Sequence, residues 1–128
     1  EVLIEAQAAW ETVDGNVAEG PFVLKHGDLY YLSYSCNHTR SEAYAVGYAV
    51  SDHPTGPFRK YEHNPILRSR GKIAGTGHNS YMPTDDPDRF LCAWHCHSGN
   101  PENFKPRMVC LGEAVFVKDN DRDVLKIM

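Results

Sequence analysis

The sequence predicts an all-β chain built as consecutive blades of a β-propeller. Three observations carry this. No stretch shows a sustained 3.6-residue apolar period, so helices are not expected. Short runs rich in Tyr, Val, Leu and Phe alternate with Gly, Pro, Asp and Asn clusters, the pattern of strands and turns. The pattern also repeats: Asp28 and Asp88 stand 60 residues apart, and Glu19 and His78 stand 59 apart, each pair at equivalent places in its unit. A four-stranded unit repeated at this period is the signature of propeller blades. A plain β-sandwich is the alternative.

The elements follow in order. Residues 2–4 (Val-Leu-Ile) read as a strand remnant ending a preceding blade, and a polar loop runs on to residue 18. The first blade spans 19–67. It opens with a short apolar strand over 21–25, turns at His26-Gly27-Asp28, and continues into the aromatic strand 29–35. After a polar loop over 37–42 comes a strand over 44–51, whose Gly47 marks a close backbone approach or a bulge. Two prolines and a glycine make 52–57 a turn, and 58–61 is a short outer strand.

The second blade spans 74–128. Residues 74–82 form a glycine-rich inner strand, 84–88 a turn, 89–97 a strand, 98–105 a loop and 107–117 a long strand that Gly112 is placed to kink. A turn over 118–123 leads to the end. The inner strand of each blade lines the propeller axis, so Glu19 and His78 are expected to face one central pocket.

Composition narrows the function classes. At 128 residues the chain is one domain able to bury a core. A net charge of −4 and the lack of any basic run argue against a nucleic-acid backbone as partner. The apolar runs are too short for a membrane-spanning helix. The first residues carry no basic stretch and no Met, which leaves a processed leader or an excised piece as alternatives, and an extracellular or a cytoplasmic location equally open.

Of the four cysteines, Cys92 and Cys96 lie on one face of a strand, about 13 Å apart at roughly 3.3 Å per residue, and cannot bridge each other. Four free, mostly buried thiols are expected. Zinc is not expected at Cys92, His95, Cys96 and His97, because the cysteines and histidines face opposite sides of the strand and cannot converge.

Glu19-Gly20-Pro21 is the stretch with the clearest chemistry. Gly20 lets the backbone pass close to a neighbour, and Pro21 fixes the way into the strand. An acid so mounted suits a proton donor, which must reach its target within hydrogen-bond distance. A plain carboxylate at a strand start is the bland alternative.

Taken in series, Glu19-Gly20-Pro21, Gly27 through Ser35, Tyr44 through Ala49, Gly56-Pro57-Phe58, Asn64 through Leu67 and Gly75-Thr76-Gly77-His78-Asn79-Ser80 resemble glycoside hydrolase family 43. The resemblance covers residue 10 to about residue 117 and implies a five-bladed propeller, of which this chain supplies about two blades plus part of a third. It implies an inverting hydrolase of arabinosyl or xylosyl bonds, acting on pentose-containing oligo- or polysaccharides.

Carried over by position, Glu19 matches the general acid. His78 matches an axial histidine that in many members helps hold a central calcium, often through water. Arg107 matches positions where members place a sugar-binding arginine. Trp10 is a further substrate-binding candidate, as a subsite wall near Glu19. The family's general base is an aspartate of the first blade, and a second aspartate tunes the acid. Neither has a match in the eighteen residues before Glu19, and Asp14 lies in a turn.

The expectation is therefore an enzyme half completed by an N-terminal half or by a second copy in a homo-oligomer. The alternative is a sugar-binding or structural propeller fragment without catalysis.

Overall fold

The computed structural model describes residues 1–98 and 106–128. Two four-stranded antiparallel sheets follow each other along the chain. The first is β1 (Ala18–His26), β2 (Leu29–Cys36), β3 (Ala45–Ser51) and β4 (Arg59–Lys60). The second is β5 (Ile73–Pro83), β6 (Arg89–Ser98), β7 (Arg107–Asp119) and β8 (Arg122–Ile127). Each sheet is a meander in chain order, so each strand pairs with its sequence neighbour. The expected all-β class and the two consecutive four-stranded units are both present. The expected loop over 98–105 falls almost wholly outside the described residues.

Two expectations change. Residues 2–4 form no strand, and the segment instead closes with a single 3-10 turn, Ala9–Glu11. Its anchor is Glu11, whose carboxylate is fully buried. That carboxylate accepts from the Gln7 and Ala8 N–H groups, the Tyr34 hydroxyl and Lys60 Nζ. These bonds pin the segment to the outer face of the first sheet, where Ile4, Ala6, Trp10 and Phe58 cover Tyr34, Cys36 and Ala49. Gly112 also does not interrupt β7. It leaves room for the Trp94 ring and the Met128 carbonyl, which a Cβ there would meet at 2.8 and 2.5 Å.

The main core lies between the sheets. Leu24, Tyr31 and Tyr48 of the first meet Tyr81, Cys92, Ala114, Phe116 and Leu125 of the second. The strand alternation explains this layer: Tyr31 and Tyr48 point from β2 and β3 toward the second sheet, while Tyr34 points away from it. At the rim, His26 stacks on Phe116 with centroids 3.9 Å apart and bonds Asp123 at 3.2 Å. The end of β1 is thereby fastened to the outer strands of the second sheet.

Candidate active site

The inner strands β1 and β5 both lose regular register at the residues of interest. In β1 the shift falls between Glu19 and Phe22, and in β5 it falls on either side of Gly77. Such irregularities re-aim side chains. Gly20 has φ +60° and His78 φ +54°, a left-handed conformation that a non-glycine residue holds at a cost of about 1 kcal/mol or more. His78 is held there by its N–H, which donates to Ser35 Oγ at 2.8 Å.

The two motifs meet directly. A Cβ at Gly20 would stand 3.2 Å from the His78 ring, so the glycine of Glu-Gly-Pro makes the space in which the imidazole lies. The start of β1, where Glu19 stands, is thus brought against His78 in the middle of β5, and not against the start of that strand as the equivalent sequence positions suggested.

Glu19 is half-buried, and its Oε1 accepts from the Tyr44 hydroxyl at 2.7 Å. Burial, and then the Glu19 carboxylate, push the Tyr44 phenol well above its ordinary value, so it stays protonated and keeps donating. One oxygen of Glu19 is thus engaged by Tyr44. The Tyr44 ring is flanked by the His95 imidazole, stacked with centroids 5.6 Å apart and planes 18° apart. It also lies over Gly77, where a Cβ would stand 2.1 Å from it.

His95 lies 6.1 Å from His78, centroid to centroid. Burial holds the His95 imidazole below its ordinary value, assisted by the charges of Arg107, His78 and His97 and opposed by Glu19. It is the neutral imidazole at neutral pH, able to give one hydrogen bond and take one. Arg107 is exposed, and its charge acts on both Tyr44 and His95.

The cluster is thus Glu19, Tyr44, His78, His95 and Arg107. It joins a half-buried carboxyl group, a neutral imidazole and an exposed cation that suits the hydroxyl oxygens of a polar substrate. Beside Glu19, on the outer face of the first sheet, lies an apolar pocket of about 190 Å³ lined by Leu3, Ile4, Ala18, Pro21, Leu32 and Tyr34.

Trp10 is not brought into this cluster. Its ring lies against Gly47 and beside Tyr34, centroids 6.0 Å apart, on the face of the first sheet opposite to Tyr44. A Cβ at Gly47 would meet it at 2.6 Å, so the strand glycine serves close approach and not a bulge. Burying an indole against an aromatic partner satisfies the side chain without a ligand.

Tyr44 and His95 are absent from the site residues read off the sequence. The signal for Tyr44 was the Gly75-Thr76-Gly77 run, since a strand glycine marks a place where a neighbour comes close. The signal for His95 was its alternation with His97 on one face.

The comparisons with known proteins decide the family. The model of glycosyl hydrolases family 43 matches residues 1–120. The chain belongs to this family.

Among curated family 43 relatives, the chain is 30% identical over 105 residues to a β-D-galactofuranosidase of Aspergillus niger, covering 82% of this chain and 30% of that protein. It is 29% identical over 122 residues to an extracellular exo-α-(1→5)-L-arabinofuranosidase of Streptomyces avermitilis, covering 87% of this chain and 25% of that one. Among solved structures, an endo-1,4-β-xylanase from Bacteroides thetaiotaomicron superposes with a TM-score of 0.85 at 37% identity, over 98% of this chain and 42% of that one. The chain thus spans between 25% and 42% of the length of these relatives. It is a partial β-propeller. This excludes the β-sandwich.

The resemblance implies a central calcium beside His78. Calcium takes six to eight oxygen ligands. Among the described residues no group of three or more His, Cys, Asp and Glu is placed to hold a metal, and His78 offers a ring nitrogen. These residues do not form a calcium site by themselves.

Proposed function

We propose that this chain carries the acid side of an inverting glycoside hydrolase centre acting on arabinosyl or xylosyl linkages. The observation that carries the reading is the hydrogen bond from Tyr44 to Oε1 of Glu19 within a cluster shared by two blades. In this reading Glu19 gives the proton on its free oxygen to the leaving-group oxygen as the glycosidic bond breaks. Arg107 and His95 bind hydroxyls of the sugar at the cleaved bond.

Inversion needs a second carboxylate roughly 6.5–9.5 Å from the acid, with a water between them that attacks the opposite face of the ring. That base belongs to further blades, supplied by a longer polypeptide, a complementary half or a second copy. The names of the family 43 relatives support a furanosyl or pentosyl substrate. Support for further blades comes from the apolar side chains left on β7, where Val109 is 79% and Leu111 73% exposed. Oxygen ligands for an axial calcium would come from the same blades.

The test is hydrolysis of 4-nitrophenyl α-L-arabinofuranoside and β-D-xyloside by the completed protein, with the product anomer read by NMR. Turnover with inversion is expected, falling at least about 10³-fold in Glu19→Gln. Saturable pentose binding with no turnover in any completed form would overturn the hydrolase reading and leave a sugar-binding module.

A further inference from the structure

Among the described residues outside the cluster around Glu19, a pair of reactive side chains lies within reach of a new bond. Sγ of Cys96 in β6 and Sγ of Cys110 in β7 stand 2.8 Å apart, and both are free thiols. Bonded sulfurs stand about 2.04 Å apart, so closure needs less than about 1 Å of further approach. The contact is a product of register. Cys96 is opposite Met108 and Cys110 opposite Trp94, which places the cysteines on one face, on rungs two apart.

The rung between them pairs His95 with Val109, and the rung beyond Cys96 pairs His97 with Arg107. His95 and Arg107 project from the opposite face of the same sheet. A covalent tie between the two sulfurs would therefore brace, from behind, the segment that presents both residues to Glu19 and Tyr44.

We propose that Cys96 and Cys110 are a redox site: they form a reversible intramolecular disulfide with a low-molecular-weight disulfide such as oxidised glutathione, and this bond fixes the His95–Arg107 side of the cluster. Cys110 is half-buried and Cys96 fully buried, so Cys110 reacts first. Its thiolate attacks one sulfur of the small disulfide and expels the other as a thiolate, leaving a mixed disulfide on Cys110. Cys96 then loses its proton to solvent and attacks Cys110 Sγ, expelling the second small thiolate. Two protein thiols are oxidised by two electrons, and one small disulfide is reduced to two thiols. Burial, and then the Cys110 sulfur, push the Cys96 thiol up to about 12, so the second step is the slower one and quickens as pH rises.

The experiment uses the chain itself in buffers of oxidised and reduced glutathione at pH 8, quenched with iodoacetamide under denaturing conditions. Intact mass should show the loss of two alkylatable thiols. Digestion should yield a crosslink between the peptides holding Cys96 and Cys110, in the wild type and in Cys92→Ser but not in Cys110→Ser. The oxidised wild type should melt at least about 4 °C above the oxidised Cys110→Ser chain. Amide exchange over 93–97 and 107–111 should slow several-fold on oxidation. Full alkylation of both cysteines, a glutathione adduct that stays on Cys110, or the same crosslinked mass in Cys110→Ser would overturn the bond. A crosslink that leaves amide exchange unchanged would overturn the bracing.

Discussion

The Tyr44 hydroxyl donates to Oε1 of Glu19 across 2.7 Å, joining a residue just before β3 to the start of β1. In the proposed reading the bond leaves one carboxylate oxygen for proton transfer and makes Tyr44 a positioning residue for Glu19. Tyr44→Phe is expected to lower kcat/KM of the completed protein about 10- to 100-fold on alkyl glycosides, whose leaving groups need a proton. The loss should be much smaller on dinitrophenyl glycosides, whose leaving groups need none. Equal losses on both substrate types would show that Tyr44 only supports the fold.

Gly77 faces the same ring. A Cβ at this position would stand 2.1 Å from Tyr44 Cε1 and 2.5 Å from Cδ1. Gly77→Ala is expected to push the tyrosine off Glu19 and off its stack with His95, and to cost about 2–3 kcal/mol by denaturant unfolding. A variant as stable as wild type would show that the ring moves aside without penalty.

The N-terminal segment hangs on Glu11, with Lys60 Nζ 2.5 Å from Oε2. Removing the cation leaves a buried carboxylate short of its charge partner. Lys60→Met is expected to cost about 2–3 kcal/mol, at or below the lower end of the range for breaking a buried pair because the lysine is partly exposed. Equilibrium denaturation checks this, and a cost under about 0.5 kcal/mol would mean that the N–H and hydroxyl donors suffice.

The same carboxylate sets a pH dependence. Burial acts to raise Glu11, but Lys60, the Gln7 and Ala8 N–H groups and the Tyr34 hydroxyl outweigh it and hold the group below the ordinary 4.5. A group lowered by folding stabilises fully above its unfolded value and loses that contribution as pH falls through its folded one. Stability should therefore decline on acidification below about pH 4.5, and the decline should be shallower in Glu11→Gln. Parallel thermal melts from pH 6 to pH 3 distinguish the two.

At the rim, His26 stacks on Phe116 and bonds Asp123. His26→Ala is expected to lower stability by about 1–2 kcal/mol, the sum of one aromatic contact and one hydrogen bond. Exchange of the β1 and β8 amides should rise together in this variant, because the residue fastens one blade to the other. A rise confined to β1 would assign His26 to its own blade alone.

Local pattern sufficed for a good part of this. The alternation of aromatic and polar residues, broken by Gly, Pro and Asp, specified strands and turns, and their repetition specified two like units. Glu19 was legible because Glu-Gly-Pro is a mount written in three adjacent residues. Gly47 was legible as either a close approach or a bulge, and the Trp10 ring against it decides for the first.

Other features depended on pairing register and on which face a residue takes, and neither is local. Trp10 is near Glu19 in sequence, yet it packs on the sheet face opposite to Tyr44. The 3-10 turn at Ala9–Glu11 is tied to the sheet through Glu11, whose partners Tyr34 and Lys60 lie 23 and 49 residues away. Cys96 and Cys110 meet because one strand pair aligns them, whereas the spacing along the chain excluded only Cys92 with Cys96. The sequence by itself determined most of the elements, their repetition and the Glu-Gly-Pro mount of one carboxylic acid, Glu19. Only the tertiary structure decided what surrounds that acid, because a two-residue period names the two faces of a strand without saying what packs on either.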